Sequence, residues 1–295
     1  MAEAAVATRP ALWLVDKPAG PTSHDVVAHV RRRLGRGTKV GHSGTLDPFA
    51  TGLLVILAGR ATRLAPFMSA LDKTYLATVR TGFTSVTGDP EGPVEPAGEP
   101  ASAAAIGAAL PGFLGRQPQR VPAYAAVRVD GERMYRRARR GEVVERPQRT
   151  VEIHDLRLAD DLGGGVVTVE VRCGAGTYIR QLAADLGERL GCGGYLTALR
   201  RTAVGALSVQ DAVAPEEVGP GGGLDPALGL AHLPSRVLTA DELARALHGR
   251  PVPAGADPGE DPGPVALVAP DGRLVAVARP GEAGLRPAVV LEDPA

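Results

Sequence analysis

The sequence predicts an α+β chain, and three observations carry that prediction. Apolar runs of strand length recur along it. Some are continuous, as in Gly52-Leu-Leu-Val-Ile-Leu-Ala-Gly59, and others alternate, as in Val166-Val-Thr-Val-Glu-Val-Arg172. Between them, apolar residues repeat at helical spacing: Val26, Val27, Val30 and Leu34 in one segment, Ile179, Leu182, Ala183 and Leu186 in another. Near the end of the chain, 265–268, 274–277 and 288–291 read as three short strands with an Asp271-Gly272 turn, a small β module.

In chain order, residues 12–15 read as a strand, and Thr22 or Ser23 caps a helix closed by Gly35. The outer face of that helix carries Arg31 and Arg32, a solvated surface or a phosphate contact. His24 and His29 are five apart, which does not place them on one face as metal ligands. Residues 61–70 read as a short helix and 73–82 as an alternating strand. Residues 83–100 are turn-rich and read as a mobile loop. A helical pattern over 102–114 is weakened by Gly107 and ends near Pro111. A strand and turn over 120–131 then lead to an arginine-dense helix over 132–141. Residues 151–159 and 165–173 look like paired strands, and the glycine-rich stretch after Cys173 opens the helix containing Ile179. Residues 195–205 are read as closing the large sheet, 215–226 as a linker and 238–248 as a short helix.

At 295 residues the chain can hold one large domain and a small one. Apolar residues make up 44% and charged residues 22%, a soluble-globular mix, and no apolar run approaches membrane-spanning length. The opening Met-Ala-Glu-Ala-Ala-Val-Ala lacks a signal-peptide pattern, so a cytoplasmic protein is expected. Cys173 and Cys192 have neither the number for a disulfide framework nor the spacing for zinc, and reduced buried thiols are expected. A net charge of zero argues against a nonspecific coat for polyanions. Its distribution is uneven, however. Residues 128–149 hold eight arginines against four acids, and 31–63 hold seven basic residues against Asp47 alone. That asymmetry suits a basic face for phosphates, or solvated arginines without a partner.

Asp47 is the candidate for chemistry. It sits in the loop Gly41-His-Ser-Gly-Thr-Leu-Asp-Pro, ahead of the apolar run from Gly52, and Pro48 pushes it out of the helical region. Asp-Pro is also an ordinary turn initiator. Lys39 precedes the glycines, so this is no phosphate-binding P-loop, and Ser43 lacks a nucleophile elbow. No second carboxylate lies nearby in sequence.

Gly-Thr-Leu-Asp-Pro followed by Ala-Thr-Gly-Leu-Leu resembles the signature of the TruB family of tRNA pseudouridine synthases, whose Leu-Asp-Pro aspartate is catalytic. The Asp16-Lys17-Pro18 element, Lys73-x-Tyr75 and Gly176-Thr-Tyr-Ile-Arg180 resemble further family motifs, and the resemblance covers residues 10–210. It implies that Asp47 is catalytic and that Arg180 pairs with it, holding it ionised. It implies that Tyr75 stacks on the target base, that Tyr178 and Leu199 line the pocket with Arg200 nearby, and that Lys17 joins the substrate-binding set. His42, exposed on the loop, is expected to wedge into the RNA and fill the space of the displaced base. Around 115–150 the family carries an RNA-gripping insertion resembling Pro-x-Tyr-Ser-Ala-Leu-Lys-x-x-Gly. Here Ala125 replaces the serine and Arg128 the lysine, which keeps charge but changes geometry.

The fold implied is a large mixed, mostly antiparallel sheet flanked by helices, the pseudouridine synthase fold. It spans residues 1–230, with a small C-terminal β-rich, PUA-like domain over 231–295. The activity implied is isomerisation of uridine 55 in the tRNA TΨC loop by base flipping, with no cofactor or metal, by a monomer off the membrane. Asp47 as a covalent nucleophile and Asp47 as a base removing a ribose proton both remain open. A guide-RNA-dependent synthase and a non-catalytic tRNA-folding protein are the competing readings.

Overall fold

The structure is a computed structural model that describes residues 9–125, 127–129, 131–134, 137, 140, 142, 146–254 and 263–292. It is mixed α+β. Among the described residues no helix is long and apolar enough to cross a membrane.

The chain opens with β1 (Ala11–Lys17), α1 (Ser23–Leu34), β2 (Val40–His42) and β3 (Thr51–Ala58). Thr22 caps α1 through a reciprocal box with Asp25, and Gly35 ends it at φ 95. Next come α2 (Ala65–Ser69), preceded by a 3-10 turn over Gly59–Leu64, then β4 (Lys73–Thr81), β5 (Phe83–Ser85), β6 (Val94–Pro96) and α3 (Ala103–Ala109). β7 (Gly115–Arg120), the short pair β8 (Arg128–Val129) and β9 (Glu132–Arg133), β10 (Gln148–Gly163) and β11 (Val166–Cys173) follow. The first part is completed by α4 (Ile179–Arg189), β12 (Gly194–Val204) and β13 (Leu207–Ser208).

The main sheet runs β1-β3-β12-β4-β11-β10-β7, with β2 beside β3 and β13 beside β12. Only β3 and β12 pair in parallel; every other pair in this sheet is antiparallel. This is the mixed, mostly antiparallel sheet expected. β12 is not its edge, though. It lies in the middle, between β3 and β4, because the helix α4 carries the chain back from β11 to the centre.

The continuous apolar run of β3 has a packing reason. Leu54 and Ile56 face α1, where they meet Val26, Val27 and Val30, while Leu53, Val55 and Leu57 face the other side with α2 and the C-terminal sheet. Burial on both faces removes any reason to alternate. A third cluster joins β4, β11 and β12 to α3 and α4 through Ala77, Val79, Val169, Ile106, Leu182 and Leu186. Each valine, leucine and isoleucine among them contributes roughly 1.5–3 kcal/mol by leaving water.

Two sequence-predicted loops turn out to be built. Within 83–100, β5 and β6 form a hairpin that places Asp89 in the interior, 3% exposed. The 215–226 stretch seals the open edge of β1: Leu224 exchanges backbone hydrogen bonds with Leu12, Val218 is fully buried, and Gly222 and Gly223 lie against the Trp13 indole. The sequence-predicted helix over 132–141 falls largely outside the described residues, as do Arg136, Arg139 and the side chains of Arg128 and Arg133. Arg137 and Arg140 pair with Glu142, and Arg140 also with Glu132, so these arginines are not simply a row of cations awaiting phosphate.

The C-terminal sheet runs β14 (Ser235–Val237), β15 (Val265–Val268), β16 (Leu274–Gly281), β17 (Gly284–Val290), one strand more than the sequence predicted, with α5 (Ala240–Leu247) against it. It docks on α2 and the turn before it. Arg60 donates to the carbonyl of Glu292, Arg63 to that of Val290, and the Arg279 guanidinium lies 5.9 Å from the Phe67 ring centroid. Two members of the expected basic face thus fasten one part of the chain to another.

Gly52 shows how tightly the centre is drawn. Its φ is +98, and a Cβ there meets the Arg201 carbonyl oxygen at 2.2 Å across the parallel pair. Gly52→Ala is expected to destabilise the protein by about 2–4 kcal/mol from backbone strain plus overpacking. Gly37→Ala, at φ +86 with open space around it, is expected to cost only about 1–2 kcal/mol. Urea unfolding of the two variants measures the difference.

Candidate active site

Asp47 stands at the tip of the β2–β3 hairpin, and the tip is held by four other elements. From β1, the fully buried Lys17 donates its ammonium to the carbonyls of Pro18, Pro48 and Ala50 at 2.9, 3.0 and 2.7 Å. Ser23 of α1 bridges to Leu46, its hydroxyl donating to the carbonyl at 2.9 Å and accepting from the amide at 2.8 Å. From α2, the Ser69 hydroxyl donates to the carbonyl of Ser43 at 2.7 Å. From β12, Arg201 donates to Gly44 and Thr45 carbonyls at 3.0 and 3.3 Å. Buried carbonyls without donors would cost about 1–3 kcal/mol each, so these contacts fix the loop.

Arg180 approaches from the first turn of α4. A cation there opposes the helix dipole, and the chain offsets this with two carboxylates. Nε of Arg180 lies 3.0 Å from Asp47 Oδ2, off the N–H axis, and Nη2 lies 3.4 Å from Oδ1. Nη1 donates to Asp89 Oδ2 at 3.2 Å and to the Thr87 carbonyl at 2.8 Å, while Nη2 also reaches the Tyr124 carbonyl at 3.2 Å. Arg180 is 5% exposed, its two terminal nitrogens carry these hydrogen bonds, and its Nε is buried without one. Two carboxylates share this one guanidinium, which leaves the trio with an excess negative charge.

The resulting cleft has a volume of about 320 Å³ and is walled by Thr45, Leu46, Asp47, Tyr75, Tyr124, Ala125, Val127, Thr177, Tyr178, Ile179, Arg180 and Leu199. That volume suits one small planar group. Tyr75 and Leu199 are buried in its floor. Tyr178 is the N-cap of α4, held by a two-way amide clamp in which Tyr178 N donates to Gln119 Oε1 at 2.8 Å and Gln119 Nε2 to the Tyr178 carbonyl at 3.1 Å. The Arg149 guanidinium sits 5.1 Å from the Tyr178 ring centroid.

Electrostatics differ from the sequence expectation. Burial raises the Asp47 carboxyl above its ordinary value, the Arg180 guanidinium beside it pulls the other way, and Asp89 adds to the rise. The net direction is upward, so the arginine does not by itself hold the acid low. Its side chain keeps 36% of its surface open to the cleft, which leaves a route for a ligand. Burial likewise raises the Tyr75 and Tyr178 phenols, so both are neutral at physiological pH.

Of the residues singled out from sequence, Asp47, Tyr75, Tyr178, Arg180 and Leu199 meet in one cleft. Two do not. Lys17 is sealed beneath the loop, its ammonium spent on three carbonyls, so it supports the site and touches nothing within it. His42 is half-buried in β2, paired with Ile56, and its Nδ1 is buried without a partner; it is neither exposed nor part of the cleft wall. Burial also lowers its pKa, with the Arg201 charge acting the same way. Arg200 pairs with Asp16 on β1 at 2.7 Å.

Asp89, Arg201 and Gln119 were missed. Asp89 was hidden among the other acids of a turn-rich stretch. Arg201 had a usable signal, because alternation along β12 puts it on the same face as the buried Leu199.

Family descriptions match most of the chain from residue 31 on: TruB family pseudouridylate synthase (N terminal domain) over residues 31–179, tRNA pseudouridylate synthase B C-terminal domain over 180–219, and tRNA Pseudouridine synthase II, C terminal, over 233–292. A tRNA pseudouridine synthase B of Synechococcus sp. (strain WH7803) is 46% identical over 95% of this chain and 96% of its own length. That of Thermobifida fusca (strain YX) is 44% identical over 94% and 97%. Among solved structures, a chain of the archaeal box H/ACA sRNP Nop10-Cbf5 complex matches with a TM-score of 0.71 at 22% identity, over 96% of this chain and 86% of that one. A chain of a Cbf5-Nop10-Gar1 complex matches at 0.72 and 24%, over 96% and 85%. At such identity the two structures share the fold alone. The sequence matches go further: this chain belongs to the TruB family of pseudouridylate synthases.

Proposed function

We propose that this protein converts uridine 55 in the TΨC loop of tRNA to pseudouridine, with Asp47 as the catalytic residue. The observation that carries the reading is one carboxylate at the floor of a nucleotide-sized cleft, ion-paired to Arg180 and walled by Tyr75, Tyr178 and Leu199. Family membership supports the reaction class, and the names of the relatives support tRNA as substrate.

The reaction breaks the N1 glycosidic bond, turns the uracil and rejoins it through C5, so no atoms are gained or lost. It needs an extruded base, an anionic group at the sugar, and exclusion of water while the base is free. The cleft suits each need. Leu199, Leu46 and Ile179 present apolar wall, Tyr75 offers a neutral ring against which a base can lie, and Arg180 orients the Asp47 carboxylate. Asp47 then attacks the anomeric carbon or removes a ribose proton; both roles require its ionised form.

Residues 1–230 form the catalytic unit in this reading, with 115–150 as the RNA-gripping insertion and 231–295 as a PUA-like support for the tRNA. The protein acts in the cytoplasm as a monomer. An unmodified tRNA transcript with no other RNA or protein is therefore a sufficient substrate, which separates this reading from guide-dependent catalysis.

Tritium release from 5-tritiated uridine in such a transcript is expected with the wild type and lost, by at least about 10³-fold, with Asp47→Asn; full turnover by a folded Asp47→Asn removes the assignment. The same variant carries a stability prediction. A carboxyl whose pKa is raised by folding contributes stability that is present below the ordinary value of 3.8 and lost as pH rises through the folded value. At neutral pH, Asp47→Asn should consequently melt no lower than the wild type in calorimetry. Asp89 raises the Asp47 pKa, so Asp89→Asn is expected to move the acid limb of kcat/KM to lower pH. A shift to higher pH contradicts that account.

A further inference from the structure

Arg201 heads the largest fully buried side chains among the described residues, 2% exposed, and beyond its bonds to the Asp47 loop no part in the reaction has been given to it. Among the described residues no carboxylate pairs with it. Burying an arginine without a counter-charge costs several kcal/mol unless its donors are met. They are met by backbone. Nε donates to the Leu53 carbonyl at 2.7 Å, Nη2 to Gly44 at 3.0 Å and Nη1 to Thr45 at 3.3 Å. Leu53 lies just beyond the Asp47 loop and Gly44 and Thr45 just before it, so one planar group ties both legs of the hairpin tip together.

The strand register adds a second connection. Arg201 sits directly opposite Tyr75 across the β12–β4 ladder and opposite Gly52 across the β12–β3 pair. Directly opposed side chains on one face lie about 4.5–5.5 Å apart at Cβ, which sets Arg201 beside Tyr75. Arg201 is therefore opposed to the aromatic side of the cleft on one strand and bonded to the backbone that presents Asp47 on the other.

We propose that Arg201 is a positioning residue for the isomerisation, fixing the distance between the Asp47 carboxylate and the Tyr75 ring so that the sugar and the base of one nucleotide are engaged together. This rests on the roles given to Asp47 and Tyr75 above. Only the forked, planar guanidinium meets three carbonyls that point from different directions while flanking a ring; a lysine ammonium keeps the charge but presents one nitrogen. Displacement of a reacting group by about 1 Å from its productive position costs about 10²-fold in rate, and loss of the fork allows displacement on that scale.

The test uses full-length Arg201→Lys and Arg201→Gln at 20 °C, each checked for folding by circular dichroism. Single-turnover tritium release at saturating enzyme is measured beside tRNA affinity by filter binding. The expected result is a rate about 10²-fold lower for both variants, with tRNA affinity within about threefold of wild type and Arg201→Lys little better than Arg201→Gln. Because Tyr75 is its direct neighbour, the Tyr75→Phe/Arg201→Lys double variant is expected to lose less than the product of the single losses. A purely structural strut gives a different pattern: lower melting temperature, unchanged single-turnover rate in the folded variant, and losses that multiply. That pattern overturns the proposal. Asp47→Asn run in the same assay keeps the two readings apart. If Asp47→Asn is inactive while Arg201→Lys is fully active, only the positioning role fails; if Asp47→Asn is active, the catalytic reading fails instead.

Discussion

A carboxylate has to remain usable where the protein around it disfavours its charge, and the rest of the structure follows from that constraint. Asp47 is raised by burial, shares its arginine with a second acid in Asp89, and among the described residues has Arg180 as its sole direct ion-pair partner. Dispensing with the arginine would leave both acids without the cation they share. Removing the cleft would relieve the acid but leave no dry place for the detached base of the proposed reaction. The arrangement is a compromise in which stability is given up at one side chain so that a charge is available there.

Holding that side chain in place requires the whole first part of the fold. The hairpin tip is short of regular hydrogen bonds, and the donors it lacks come from β1, α1, α2 and β12, elements scattered from residue 17 to residue 201. Two of those donors are buried cations, Lys17 and Arg201, serving carbonyls in place of carboxylates. The central position of β12 matters for the same reason. Only a strand between β3 and β4 can offer one side chain to the Asp47 loop on one flank and to Tyr75 on the other. The C-terminal sheet joins this framework through α2, whose Phe67 lies near Arg279 and whose Ser69 reaches Ser43 in the loop.

Much of this was legible in the sequence, and the parts that were not have physical reasons. The β3 run, the α1 cap and the α4 stripe were read correctly because local pattern and tertiary burial agree there. Asp47, Tyr75, Tyr178, Arg180 and Leu199 were found by their resemblance to family motifs, and their convergence in space is a result of folding that no spacing rule could supply. Asp89 escaped because an acid in a Gly/Pro-rich stretch looks solvated until a partner 91 positions away is brought to it. Lys17 was placed on the ligand side because the family resemblance implied it; its three carbonyl partners show that it faces inward. His42 was taken as exposed because it was read as part of the loop, whereas its pairing to β3 draws it in.

The central claim is that Asp47 is an acid whose charge the fold disfavours and Arg180 only partly restores. A carboxyl carbon-13 titration of aspartate-labelled protein, with the Asp47 signal assigned as the one missing from Asp47→Asn, measures this directly. A midpoint above the ordinary 3.8 is the predicted result; a midpoint at or below that value means the ion pair outweighs burial, and contradicts the account.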